Sequence, residues 1–226
     1  MAAAPPIITQ QIRSGPSGQE ITNDSHDLCI SDVSDCLIYD RHGVKTTFQS
    51  LFQHRKAIII FVRNFLCFTC KEYVEDLGKI PRDMLQESNV RLVVIGQSSY
   101  SHIHEFCSLT GYPHEIYVDS ERQIYKKLGM RRGETYMENS YKSPHVKSSL
   151  LVGSLKSMWR AMTSPLFDFQ GDPQQQGGAI IVGPGPKVHF AHFDMNRLDH
   201  MPINWLLQLA GLQMLDFSDS PKIIDI

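Results

Sequence analysis

The chain reads as a layered α/β domain with parallel strands at its centre, and three observations predict this. Strand-like and helix-like segments alternate three times across Ile58–Gly129. Ala57–Val62 is a short, continuous apolar run rich in β-branched residues, the pattern of a strand buried on both faces. Two late β runs flank Gly183-Pro-Gly-Pro186 and lead into an apolar helix, which adds a hairpin and a closing helix.

With 226 residues the chain can build one good-sized core, or one domain plus tails. Hydrophobic residues at 42% and charged residues at 20% are ordinary globular composition. A net charge of −2 gives no electrostatic footing for nucleic acid or an acidic membrane as partner. The five cysteines are odd in number and follow no framework, which suits a reducing compartment better than a secreted disulfide scaffold. The start, Met1-Ala-Ala-Ala-Pro-Pro, has no cationic region ahead of an apolar stretch, and a single Arg13 is thin support for a transit peptide. No apolar run approaches the ~18 residues of a membrane span. A cytoplasmic location without a membrane span is the expectation.

Met1 to about Asp32 is rich in Pro, Gly, Ser, Gln and Asp without periodicity, and reads as disordered or loosely attached, with Cys29 incidental. The domain proper is expected over residues 33–212. Cys36–Tyr39 and Val44–Thr47 are short β segments around the turn Asp40–Gly43, and Phe48–His54 can form a helical turn. The Ala57–Val62 strand leads through Cys67 and Cys70 into a helical pattern from Lys71 to about Gln86, which Pro81 either closes or breaks. Val90–Gly96 is the next strand, and Ser98–Ser101 can cap a helix reaching about Leu109, with Gly111 as its stop. Glu115–Val118 is a third strand, after which Ser120 is the expected N-cap of a helix over Glu121–Leu128, stopped by Gly129.

Residues 130–178 break this rhythm and are expected to be an insertion before the final hairpin. Within it Leu151, Leu155, Met158, Trp159 and Met162 fall on one helical face, ended by Pro165, and a loop follows through Gly178. Packing against the domain is the plain reading of that face; a lid, a ligand wall or a dimer contact are the others. The closing helix is expected over Pro202–Ala210, and residues 213–226 form a tail that either adds an edge strand or stays free.

The order strand, Cys67-x-x-Cys70, helix carries the chemistry. Unpaired amides and the macrodipole at a helix N-terminus favour negative charge, so a thiolate there is stabilised. A second cysteine one turn on lies within reach, so a small disulfide can close with little backbone movement. Half of a zinc ribbon or two inert core cysteines fit the same spacing. Lys71 and Arg63 are candidates to hold a Cys67 thiolate by charge, Arg63 only if the strand end turns it that way. The Thr69 hydroxyl either donates to the sulfur or faces solvent. Cys107, beside Phe106 and Leu109, is either a second resolving thiol or a small buried hydrophobe.

Ten histidines invite a metal, but His102 and His104 are two apart on a helix, and His189 and His192 are an odd step apart on a strand. Each pair therefore faces different ways, and no metal is expected. Gly183–Pro186 does not join a strand to a helix and so is no phosphate loop. Arg131 and Arg132 read as a solvated pair.

Together these elements trace a thioredoxin-like fold: a central mixed sheet flanked by helices, with the insertion before the final hairpin. The sequence resembles the peroxiredoxin-like branch of the AhpC/TSA superfamily. The residues carrying the likeness are Phe65–Tyr73 around the dithiol, Ile95–Tyr100, Gly111 through Tyr117–Asp119, Tyr125–Gly129, Phe167–Asp172 and Gln174–Gly178. The resemblance covers about Val33 to Gly211. It implies a thiol-dependent oxidoreductase reducing a peroxide or disulfide, with Cys67 attacking and Cys70 resolving. An external thiol reductant (a thioredoxin or glutathione system) would reset the dithiol. A small peroxide or a lipid peroxide would be the substrate, and no cofactor is expected. The alternative is a redox-responsive regulator or binding scaffold on the same fold. The chain departs from the family pattern in two places. Arg63-Asn-Phe-Leu66 stands where peroxiredoxins place Pro and Thr ahead of the reactive cysteine, and Gln176-Gly-Gly178 stands where they carry an arginine.

Overall fold

The structure is a computed structural model and describes residues 29–135, 143–147 and 171–217. A seven-stranded mixed sheet forms its centre, in the order β2-β1-β5-β4-β3-β6-β7. The strands are β1 (Leu37–Tyr39), β2 (Lys45–Thr47), β3 (Lys56–Phe61), β4 (Val90–Gly96), β5 (Glu115–Val118), β6 (Gly178–Val182) and β7 (Val188–Phe193). The expected alternation produces the parallel core: β3 runs parallel to β4, and β4 to β5. The late hairpin adds β6 antiparallel to β3 and β7 antiparallel to β6, while β1 and β2 close the other edge antiparallel.

β3 is apolar throughout because both its faces are covered. Ile58 and Ile60, with Val62 just beyond, join Leu92, Val94, Ala179 and Ile181 in one core layer. Ala57, Ile59 and Phe61 alternate into a second layer with Val93, Ile95, Ile180 and Val182. Alternation of side chains along each strand thus feeds two cores from one ribbon. The first layer lies under α1 (Phe68–Leu77), α3 (Ile103–Thr110) and α5 (Ile203–Ala210). The second lies under α4 (Gln123–Lys127) and the two short 3₁₀ turns Ile30–Val33 and Phe48–Leu51. Ile30 and Val33 are already buried, so packing begins just ahead of Val33.

Local differences from the sequence patterning have identifiable causes. The helical stretch after the dithiol splits into α1 and α2 (Arg82–Glu87), and Pro81 holds the N-cap position of the second. Proline is tolerated there because no amide is needed. Ser120 is not the cap of α4. Its hydroxyl donates instead to the Ser98 carbonyl, at 2.9 Å. The Asp119 carboxylate takes the capping role, accepting from the Gln123 and Ile124 amides at 3.0 and 2.7 Å. The tail adds no strand as far as Phe217: Asn204 on α5 holds Leu215 by a pair of 2.8 Å hydrogen bonds to its backbone.

Much of the 130–178 insertion, including the Leu151–Met162 stripe, lies outside the described residues. Its two described ends run side by side: Arg132 bridges Gln175, the Gly133 amide donates to Gln174, and the Gln176 amide donates to Arg131. Asp172 gathers Arg122 and Arg132, and the Arg132 side chain stays largely exposed while making that pair. The short piece Ser143–Lys147 docks on α1. There the His145 Nδ1–H donates to Asp76, and the Ile203 amide at the start of α5 donates to its Nε2. A ring that donates at one nitrogen and accepts at the other is neutral, which agrees with burial lowering its pKa.

Replacing Asp119 by Ala removes both caps of α4 and should cost about 1–2 kcal/mol in urea denaturation, more than Ser120→Ala costs. His192, on β7, gives a pH signature. Burial works against its charge, but Asp199 and Asp194 lift its pKa to about 9 from an ordinary 6.5. A raised folded-state pKa stabilises fully below the unfolded value and loses that stabilisation as pH rises through the folded one. The thermal midpoint should therefore fall between about pH 6.5 and 9, and His192→Gln should flatten that decline.

Candidate functional site

The parallel strands all point their C-terminal ends the same way, and β3 delivers its chain into the site. Beyond Phe61 the path runs through Val62 and the buried Arg63 and Asn64 to Cys67, which is the N-cap residue of α1. Phe65 folds over the end of β4, where Gly96 leaves no Cβ to meet its ring, and stacks on Phe106 of α3 at 4.3 Å. On the other side Gly177, just before β6, comes so close to the Phe61 carbonyl that no Cβ would fit. These two close approaches bring the β4 and β6 ends against the dithiol turn.

Cys67 retains 9% of its surface and Cys70 none, and neither forms a disulfide. Their environments push them in opposite directions. A hydrogen bond from the Cys70 side chain, the Arg63 charge, the Thr69 hydroxyl and the Cys70 amide together hold the Cys67 thiol well below the usual range, against burial. Burial, and then the neighbouring Cys67 sulfur, push Cys70 well above it. Two thiols one helical turn apart are thus shifted in opposite directions, the one nearer the surface toward the thiolate.

Arg63 Nη1 lies 3.9 Å from the Cys67 sulfur. The guanidinium is itself held by the Gln175 carbonyl at 3.2 Å, the Pro173 carbonyl at 2.6 Å and Glu134 at 3.3 Å. Glu134 also receives Arg197, at 2.6 and 3.1 Å. The Thr69 hydroxyl is 3.1 Å from the same sulfur and buried, not solvent-facing. Lys71 turns away: its ammonium pairs with Glu75 at 2.9 Å on the outer side of α1. Cys107 is half-buried on α3, where burial raises its pKa. Among the described residues, no group of three or more metal-ligating side chains converges.

Several neighbours of the dithiol were not singled out in the sequence for a role. Gln97, at the end of β4, donates to the Arg63 and Asp172 carbonyls and accepts from the Asp172 amide, so it ties three segments together. Gln176 precedes β6 with its Oε1 buried and unpartnered among the described residues. Asp194 and His200, between β7 and α5, are buried and joined at 2.9 Å. Gln97 and Gln176 lie inside stretches that carry the family resemblance. Asp194 and His200 sit in an irregular loop, where spacing gives no signal.

Comparison with known proteins agrees with this fold. The model of the AhpC/TSA antioxidant enzyme family matches residues 79–196, beginning after the dithiol. Peroxiredoxin-like 2C of Takifugu rubripes is 60% identical, over the full length of both chains. Its Homo sapiens counterpart is 55% identical over 99% of this chain and 100% of its own. Prostamide/prostaglandin F synthase of Xenopus laevis is 26% identical over 75% of this chain and 81% of its own. Among solved structures, peroxidoxin BcpB of Mycobacterium tuberculosis superposes with a TM-score of 0.52 at 9% identity, covering 80% of this chain and 92% of its own. That likeness shows the thioredoxin-like fold. With the family model spanning half the sequence and full-length relatives well above half identical, the chain belongs to the AhpC/TSA antioxidant enzyme family.

Proposed function

We propose that the protein is a thiol-dependent oxidoreductase of peroxiredoxin-like type that reduces a peroxide, or a disulfide, through Cys67 and Cys70. The observation that carries this reading is the placement of the pair: Cys67 is the N-cap residue of α1 with the Arg63 guanidinium 3.9 Å and the Thr69 hydroxyl 3.1 Å from its sulfur, which help to draw its pKa down, while burial raises that of Cys70. The Cys67 thiolate attacks one peroxide oxygen, the O–O bond breaks, and a sulfenic acid forms. The Cys70 thiol then attacks that sulfur, a disulfide closes, and water leaves. A thioredoxin or glutathione system supplies the two electrons that reopen it. The name of the prostamide/prostaglandin F synthase relative supports a lipid peroxide as one substrate class. Five free cysteines suit the reducing cytoplasm, and no described helix is long and apolar enough to cross a membrane.

Burial favours a second reading. With Cys70 fully buried and Cys67 nearly so, a redox-responsive binding scaffold would need no substrate access to the sulfur. Turnover separates the two. Peroxide-treated protein should show a Cys67–Cys70 disulfide by mass spectrometry. Hydrogen peroxide or linoleic acid hydroperoxide should be consumed in the presence of thioredoxin, thioredoxin reductase and NADPH, and Cys67→Ser should abolish that consumption. Wild-type protein inert to both peroxides would leave only the scaffold.

The charge compensation is testable separately. Following iodoacetamide alkylation of Cys67 against pH, Arg63→Gln should raise the apparent thiol pKa by about one unit. Lys71→Gln should leave it unmoved, because that ammonium pairs with Glu75 instead. Equal shifts in the two variants would show that Arg63 acts through the fold and not through its charge.

A further inference from the structure

The peroxide step leaves a gap in the proton account. When a thiolate opens an O–O bond, the departing oxygen leaves as hydroxide or alkoxide and needs a proton. Cys67 has already lost its own, and Cys70 must keep its proton until the second step. Lys71 is engaged outside the site, and the Arg63 guanidinium does not give up a proton in this pH range. The Thr69 hydroxyl, 3.1 Å from the sulfur, can relay a proton but is not itself an acid in this range, so a further group is called for.

His200 is the acid that the core offers. It is 4% exposed, and its Nδ1 lies 2.9 Å from a carboxylate oxygen of Asp194, itself 2% exposed. The carboxylate only accepts, so Nδ1 donates, and the other nitrogen is left to act. That nitrogen, Nε2, is buried and has no hydrogen-bond partner among the described residues. A buried polar atom without a partner is costly in a core and calls for an explanation. The ring packs at 4.9 Å on Tyr73, which lies one turn beyond Cys70 on the buried face of α1. The Tyr73 hydroxyl clamps the same segment by donating to the Met201 carbonyl at 2.6 Å. Asp194 is fixed in turn, its amide donating to the carbonyl of Gly177 at the head of β6.

We propose that His200, oriented by Asp194, is the proton donor for the oxygen that leaves when Cys67 attacks a peroxide. This rests on the peroxidase reading above. The Cys67 sulfur takes one peroxide oxygen as a sulfenic acid, and the other leaves as RO⁻ and takes the Nε2 proton as ROH. The neutral imidazole then accepts the Cys70 proton as that sulfur attacks, and passes it to the departing hydroxide as water. Two thiols and ROOH become a disulfide, ROH and water, with no further oxidant.

The charges around His200 shift it toward the donor form. Burial opposes its charge, but Asp194 and the Cys67 thiolate raise its pKa, while Arg63 lowers it. Asp199 and His145 face it as well, His192 reaches the other oxygen of Asp194 at 3.6 Å, and burial raises the Tyr73 pKa and keeps it neutral. Donation is therefore available below the raised pKa and lost as pH climbs through it.

The test compares leaving groups in the full chain. Rates of Cys67 oxidation by tert-butyl hydroperoxide and by peracetic acid, and of its alkylation by iodoacetamide, are measured by quenched-flow mass spectrometry. In His200→Gln the tert-butyl hydroperoxide rate at pH 7 should fall roughly a hundredfold, and its decline at alkaline pH should vanish. Peracetic acid and iodoacetamide release acetate and iodide, which need no proton, so those rates should stay within about threefold. Asp194→Asn should give the same pattern more weakly. A uniform loss across all three reagents makes His200 structural and overturns the proposal, as does no loss with the hydroperoxide. Wild-type protein that is alkylated yet inert to both peroxides overturns the peroxidase reading itself, and the donor with it.

Discussion

The arrangement depends on one electrostatic constraint: a sulfur in an almost closed apolar core can carry charge only if the core compensates it. Taking an unpaired anion out of water costs far more than any single contact in this fold returns. The Cys70 side chain supplies the largest hydrogen bond, Arg63 the compensating charge, and the Thr69 hydroxyl and the Cys70 amide two further hydrogen bonds. Burial and the neighbouring Cys67 sulfur push Cys70 the other way, and they outweigh the downward pull of the Arg63 charge and backbone amide. The asymmetry of the dithiol therefore comes from packing around two chemically identical groups.

Arg63 is itself a buried charge, and its own accommodation organises the loops. Its guanidinium is divided among the Gln175 and Pro173 carbonyls, Glu134 and the sulfur, which draws both ends of the 130–178 insertion onto the end of β3. Glu134 needs Arg197 as a second partner, and that links the same cluster to the loop before α5. Gln97 completes the connection between β4 and Asp172. Four segments distant in sequence thus meet around one side chain. Breaking such a network at one member leaves another buried charge unpaired, which is why its parts are interdependent.

The fold was legible because its signals are local and periodic. The continuous apolar run of β3, the alternation that follows and the Gly-Pro hairpin each depend on a few adjacent residues, and each appears where expected. The dithiol at a helix start was legible for the same reason. The Ser120 cap was misread because Ser and Asp are both good caps, and the choice between them turned on where the Ser98 carbonyl lies. The loop partners of Arg63 had no local signal: Glu134 and Gln175 lie far along the chain and converge only after the insertion folds back. Asp194 and His200 belong to the same class, an acid and a base in an aperiodic stretch.

The departure of Arg63-Asn-Phe-Leu66 from the peroxiredoxin pattern looks different once the geometry is considered. Family members place an arginine just before the late strand, where this chain has Gln176-Gly-Gly178. Gly177 is forced by the close pass of the Phe61 carbonyl, so a side chain at that point has no room. The guanidinium instead arrives from the end of β3, and it binds the carbonyls of the very segment that leads into β6. A cation thus stands at the junction of that segment with the reactive sulfur, although the residue that carries it comes from the end of β3. What a thiolate requires is positive charge at a few ångströms, and Coulomb attraction does not depend on which strand supplies it. Sequence motifs register the supplier, whereas the field at the sulfur registers only the charge and its distance, so a missing motif arginine is weak evidence against a competent thiolate.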